Sequence, residues 1–195
     1  MRSAVQLGGL LVSCCTLVVI FSCAAEDAGI DDTRGPDSTA EVQALACGPL
    51  DESLRVNQIQ VLGTHNSYHV RPPAVHVVPD WDYTHLPLDA QLRDQGVRHF
   101  ELDIHVGPDG TFPVLHLPHL DEGTTCETLR ACLSLMKAWS DGNPCHVLLT
   151  IMIEPKDDID PEPVADHLDD VEAAILSVWP RDRILVPDDL RAEYA

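Results

Sequence analysis

Glu101 and Asp103 stand two residues apart in the run Val97-Arg98-His99-Phe100-Glu101-Leu102-Asp103-Ile104. The apolar residues Val97, Phe100, Leu102 and Ile104 suit a buried β-strand. Residues i and i+2 of a strand point to one side, so the two carboxylates face the same way, about 7 Å apart along the strand. Like charges so placed repel unless a cation lies between them. Ca2+ or Mg2+ would supply that charge, because hard cations take oxygen ligands. The plainer alternative is two solvated acids on an edge strand, a common surface arrangement.

Other residue types with chemical potential stand elsewhere in the chain. His65 and Asn66 lie in Thr64-His65-Asn66-Ser67-Tyr68-His69, His116 closes Pro113-Val114-Leu115-His116, and Glu154 follows the apolar run Val147–Ile153. Histidine titrates near neutral pH and suits proton transfer. Carboxylate and amide oxygens are donors of the kind that hard cations take. Zinc is disfavoured, since the chain has no Cys-x-x-Cys pair and no His-Glu-x-x-His zinc helix motif.

The elements that must position these groups follow from periodicity and breakers. Ile59–Gly63 reads as a first strand running into Thr64, and Arg71–Pro87 as a long connection with four prolines. Leu88–Gln95 reads as a short helix stopped by Gly96. Val97–Ile104 is the second strand, Gly107–Gly110 a turn and Pro113–His116 a short third strand. Leu129, Leu133 and Met136 give helical spacing to Cys126–Trp139, which Asp141–Pro144 breaks. Val147–Ile153 is apolar enough for a strand buried on both faces. Val164, Leu168, Val171 and Ile175 form the stripe of a helix over Pro161–Val178, and Ile184–Val186 is a fifth strand. Alternating strands and helices predict an α/β fold with a parallel sheet. Every polar residue singled out falls at the C-terminal end of a strand, where parallel α/β folds and barrels place their active sites.

The N-terminus reads as an export signal. Arg2 precedes Leu7–Phe21, an uncharged apolar run of 15 residues, short for a transmembrane helix and right for a signal core. Ile20-Phe21-Ser22-Cys23 resembles a bacterial lipobox, which predicts a lipid-anchored Cys23; the alternative is an ordinary secretory signal cut near Ala25. Residues 1–23 are thus a signal peptide, 24–46 a flexible acidic linker and 47–195 the folded domain. Export permits disulfides, and the closeness of Cys126 to Cys132 favours pairing 126–132 with 47–145 over free buried thiols. The net charge of −20 argues against nucleic acid and leaves no polybasic patch for anionic membranes.

Taken in order, four segments resemble the X region of phosphoinositide-specific phospholipase C and its bacterial calcium-dependent relatives. They are Thr64-His65-Asn66-Ser67-Tyr68, Gly96-Val97-Arg98 leading to Glu101-Leu102-Asp103, Pro113-Val114-Leu115-His116, and the strand ending Ile153-Glu154. The resemblance spans residues 55 to 190 and implies a distorted TIM barrel. It implies Ca2+ held by Asn66, Glu101, Asp103 and Glu154, with His65 and His116 catalytic. The implied reaction is calcium-dependent hydrolysis of phosphatidylinositol-type phospholipids to diacylglycerol and inositol phosphate. The inositol 2-hydroxyl attacks first and a cyclic phosphate forms. His116 is then the general acid for the diacylglycerol oxygen, and His65 stabilises charge on the phosphate. The base is Glu101, Glu154 or His65.

Lys156, two residues after Glu154, is a candidate phosphate contact or else a loop charge. His69, His76, His85, His99, His105, His119 and His146 have no place in the shared motif. A TIM barrel needs about 250 residues, so the expectation is a barrel truncated to about its first half. The implied partner is a phospholipid at a membrane surface, approached by a monomer. One rival is a related barrel enzyme acting on glycerophosphodiesters, although such enzymes typically carry Arg where this chain has Asn66. The other is an inactive, lipid-anchored surface binding protein.

Overall fold

The strand Val97–Ile104 (β3) is held between two parallel neighbours, Leu62–Gly63 (β2) and Leu149–Pro155 (β4). The computed structural model describes residues 17–21, 47, 53–73, 78–157 and 162–194. The chain enters β3 through Leu88–Ala90 (α1) and a wider helical turn at Gln91–Gln95, which together bury Leu88 and Leu92. Gly96, at φ 70°, stops the helix in the left-handed conformation that a Cβ would strain.

The pleat sorts β3 and β4 into two faces. Phe100, Leu102, Ile104, Ile151 and Ile153 join the buried core with Leu129, Leu133 and Met136 of the helix Leu129–Asp141 (α2) and with Val171 and Ile175 of Leu168–Leu176 (α3). The opposite face carries His99, Glu101 and Asp103, whose register partners on β4 are Thr150, Met152 and Glu154. Cys47 is bonded to Cys145 and Cys126 to Cys132, the pairing favoured from the sequence.

Several expectations are corrected. β4 is not buried on both faces: Leu149, Ile151 and Ile153 are, while Thr150 and Met152 are half-buried on the polar face. The first strand shrinks to two residues, because Val61 and Leu62 lie on an exposed edge and the register shifts at Gly63. Pro113–His116 adds no strand to the sheet. Val114 bridges Ile104 and Pro113 bridges Thr128, both antiparallel, and Pro113 has no N–H for a ladder. α2 starts at Leu129, because the Thr128 side chain accepts from the Ala131 N–H and caps it there. A 3-10 turn at Val164–His167 precedes α3, and its tighter winding rotates Leu168 out of the apolar stripe to the surface.

Leu17–Phe21 (β1) lies within the stretch read as a signal core, and in this structure it is a strand. It sits between β4 and Ile184–Leu185 (β5), antiparallel to both, giving the order β2-β3-β4-β1-β5. A Leu-Val-Val-Ile-Phe run suits a strand as well as a signal core, and here it covers the ladder edge of β4. Cys23, the linker 24–46 and His76 lie outside the described residues. The sheet is a mixed α/β assembly with a parallel part, β2-β3-β4, and the described strands do not close into a barrel. Among the described residues, no helix is long and apolar enough to cross a membrane.

Candidate active site

β2 ends at Gly63, where a Cβ would meet the His99 ring at 3.1 Å, so the loop that follows lies close against β3. The Thr64 N–H donates to the His99 carbonyl (3.1 Å) and the Ser67 N–H to the Glu101 carbonyl (3.0 Å), which prolongs the ladder past the strand. Ser67 Oγ accepts the Glu101 N–H at 2.9 Å. Gln91, fully buried, donates through Nε2 to the carbonyls of Ser67 and Leu86, each at 2.6 Å, and accepts the Thr64 hydroxyl at 2.9 Å. These bonds fix Asn66 at φ 44°, a left-handed conformation that Asn tolerates, with its N–H donating to Glu101 Oε2 at 3.2 Å. Ser67 lies in the shared segment without a role assigned to it, and Gln91 lies outside the motif. The sequence signal for Gln91 is its place on the same helical side as Leu88.

Carboxylate oxygens of Glu101, Asp103 and Glu154 lie within 4.8 Å of one another. The register explains the cluster: Asp103 is the lateral partner of Glu154, and Glu101 is one pleat earlier on the same face. Asp103 is wholly buried, with the Lys156 ammonium and the Tyr68 hydroxyl as its polar neighbours. Lys156 Nζ lies 2.8 Å from Asp103 Oδ2 and donates to Glu154 Oε1 at 2.6 Å.

Burial raises the Glu101 and Asp103 carboxyls above the usual carboxylate range. Burial acts on Glu154 in the same direction, but the hydrogen bond and charge of Lys156 outweigh it and hold that carboxyl low. Lys156 is the converse: burial works against its charge, yet Asp103 and Glu154 keep its pKa raised. Three clustered carboxylates against one ammonium leave excess negative charge, which fits a hard cation. The ammonium of Lys156 now offsets part of that charge. Lys156→Met is therefore expected to lower the melting midpoint in chelator and to enlarge the rise that Ca2+ produces. Paired thermal melts read both, and a Ca2+ rise that shrinks in the variant would show Lys156 to be needed by the metal site.

His65 stands beside this cluster, its side chain 75% exposed and Nε2 3.7 Å from Glu101 Oε2, while its carbonyl accepts from His85 Nε2 at 3.0 Å. His116 belongs to a second group. Its Nδ1 donates to Asp121 Oδ2 at 2.9 Å, and its ring meets Trp81 edge-on at 5.7 Å between centroids. Asp121 is fully buried and also faces His69 Nε2, at 2.9 and 3.0 Å from its two oxygens. His69 Nδ1 donates to the Tyr83 carbonyl at 3.0 Å, and the two rings lie 4.2 Å apart.

The two groups are adjacent along the 64–69 loop, where the His69 N–H donates to the Asn66 carbonyl at 2.8 Å. The proline-rich connection is more than a spacer, since Trp81, Tyr83 and His85 contact His116, His69 and His65 respectively. His119, the nearest sequence rival to His116, is exposed at φ 65° beside Glu122. His105 Nε2 donates to the Leu115 carbonyl at 3.0 Å and so steadies the segment that carries His116.

Asn66, Glu101, Asp103, Glu154, Lys156 and His65 are thus brought together, with His116 on the neighbouring loop. His69 and Asp121 were missed. His69 has no place in the motif, and Asp121 lies in a turn without periodicity, its only signal being five residues' separation from His116.

A family model described as phosphoinositide phospholipase C, Ca2+-dependent, matches residues 54–112 and 109–195. No curated protein and no solved structure matches the chain.

Proposed function

The chain belongs to the Ca2+-dependent phosphoinositide phospholipase C family, and from that premise we propose that it cleaves phosphatidylinositol-type phospholipids to diacylglycerol and an inositol phosphate. The observation that carries the reading is the buried cluster of Glu101, Asp103 and Glu154, with His65 beside it. We read β2, β3 and β4 as the opening strands of the family's TIM barrel, because they are parallel and the cluster lies at their C-terminal ends. Export, with Cys23 lipidated or the chain secreted, accords with two disulfides, which persist in oxidising compartments, and removal of the signal would take β1 with it and uncover the edge of β4. The substrate is met at a membrane surface.

Asn66, Glu101, Asp103 and Glu154 are the residues that would hold Ca2+, which when bound supplies positive charge to the phosphodiester and its attacking hydroxyl. The chain's own groups do the rest. His65, exposed at the rim, offers its Nε2 to the phosphate oxygens as charge builds on them. The proton of the inositol 2-hydroxyl passes to a rim base, Glu101, Glu154 or His65, as its oxygen bonds to phosphorus. The bond from phosphorus to the glycerol oxygen breaks, and that oxygen takes the proton of His116 Nε2. A cyclic inositol phosphate results, open to later hydrolysis. Lys156 is a second donor for phosphate once it leaves its carboxylates.

The test is 31P NMR of phosphatidylinositol vesicles incubated with the full chain, in millimolar Ca2+ or in chelator. A cyclic phosphodiester signal that appears only with Ca2+ is expected. Cleavage of glycerophosphocholine in place of phosphatidylinositol would assign the chain to the rival diesterase reading. Ca2+-dependent vesicle binding without turnover would make it a binding protein.

A further inference from the structure

We propose that Asp121, clamped by His69, is the positioning residue that sets the tautomer and orientation of His116; the inference rests on the reading of His116 as general acid. Asp121 is wholly buried and takes two imidazoles. A buried carboxylate held by a single contact can turn about its side-chain bonds. Here His69 spans both Asp121 oxygens, at 2.9 and 3.0 Å. His69 is itself fixed, because both of its ring nitrogens face groups that can only accept and so both donate, Nδ1 to the Tyr83 carbonyl and Nε2 to the Asp121 carboxylate. The segment that brings Asp121 is anchored as well. The Val70 N–H donates to the Gly123 carbonyl at 3.0 Å, and a Cβ on Gly123 would lie 2.0 Å from the Val70 carbonyl oxygen.

The consequence for His116 is specific. Its Nδ1 carries the proton given to Asp121, so in the neutral ring Nε2 is the basic nitrogen. When Nε2 gains a proton, the Asp121 carboxylate faces the resulting cation. When the phosphorus–glycerol bond breaks, the glycerol oxygen keeps the electron pair and takes that Nε2 proton. His116 returns to the neutral Nδ1-protonated ring, and the proton from the attacking hydroxyl resides on the rim base. Without the carboxylate, the ring can adopt the other tautomer and the cation loses its counter-charge.

The experiment has two arms on the full chain. The first is 15N NMR of labelled imidazoles in the unaltered protein, with His116 assigned by its loss in His116→Gln. Neutral His116 protonated on Nδ1 is expected, and protonation on Nε2 overturns the proposal. The second compares Asp121→Asn on two substrates. Turnover of phosphatidylinositol, whose alkoxide needs a proton to leave, should fall about ten- to a hundredfold at little change in KM. Turnover of a nitrophenyl inositol phosphate, whose leaving group departs without a proton, should stay within about twofold. Equal loss on both substrates, or none on either, overturns the proposal. If the unaltered chain turns over neither substrate, the phospholipase reading fails, and the NMR arm still decides whether Asp121 sets the His116 ring.

Discussion

Asp103→Asn is expected to abolish the rise in melting midpoint that Ca2+ gives the unaltered chain, and to lower phosphatidylinositol turnover about a hundred- to a thousandfold. The change removes one charge and keeps the shape. It also removes the central carboxylate, since Asp103 is the lateral partner of Glu154 and follows Glu101 on one face. Its effect in chelator has the opposite sign. Burial has raised the Asp103 carboxyl, so its ionised form costs the fold stability. A group with a raised folded pKa gives stability that is complete below its unfolded pKa and lost as pH rises through the folded one. Asparagine, like the protonated acid, escapes that loss. Metal-free Asp103→Asn should therefore melt no lower than the unaltered chain at neutral pH, while failing to respond to Ca2+. A full Ca2+ response in the variant would sink the metal assignment, because no rearrangement of the remaining acids restores the missing charge.

His116→Ala is expected to lower turnover of phosphatidylinositol by about 10²- to 10⁴-fold, the range for loss of a general acid. The Ca2+-induced rise in midpoint should be kept, because His116 binds Asp121 and none of the clustered carboxylates. The fold should survive, since Asp121 retains His69 as a partner at 2.9 Å and the His116 side chain is already 20% exposed. An activated aryl leaving group should recover most of the lost rate. A variant that cleaves the natural lipid at the normal rate would remove His116 from the reaction. One that loses the Ca2+ response as well would indicate a site more closely coupled than these contacts allow.

Much of this arrangement was legible in the sequence, for definite reasons. The i, i+2 spacing of Glu101 and Asp103 puts both on one face whatever the neighbours do, and Gly96 stops its helix because few other residues accept φ 70°. The core residues of α2 followed from 3.6-residue periodicity, which packing rewarded at Leu129, Leu133 and Met136. What escaped depends on long-range contact. The union of Asp121 with His69 crosses 52 residues, and neither side chain sits in a periodic element. Gln91 looked like one more polar helical residue until the 64–69 loop offered it two carbonyls. Leu168 misled because the stripe assumes one helical pitch, whereas the chain changes pitch at His167. Leu17–Phe21 satisfies two patterns at once, and composition alone does not choose between them.

The one-to-one pairing of Asp103 with Glu154 has a consequence for how related chains can vary in length. Adding or deleting a single residue inside β3 or β4 inverts the side-chain alternation beyond it and sends one of these acids into the apolar layer. The turn at Gly107–Gly110, outside both strands, is free of that arithmetic, and so are residues 142–146 apart from the bond of Cys145 to Cys47. Length changes tolerated during evolution, or built in by an engineer to carry an inserted peptide, should therefore gather at those two places and spare the strands.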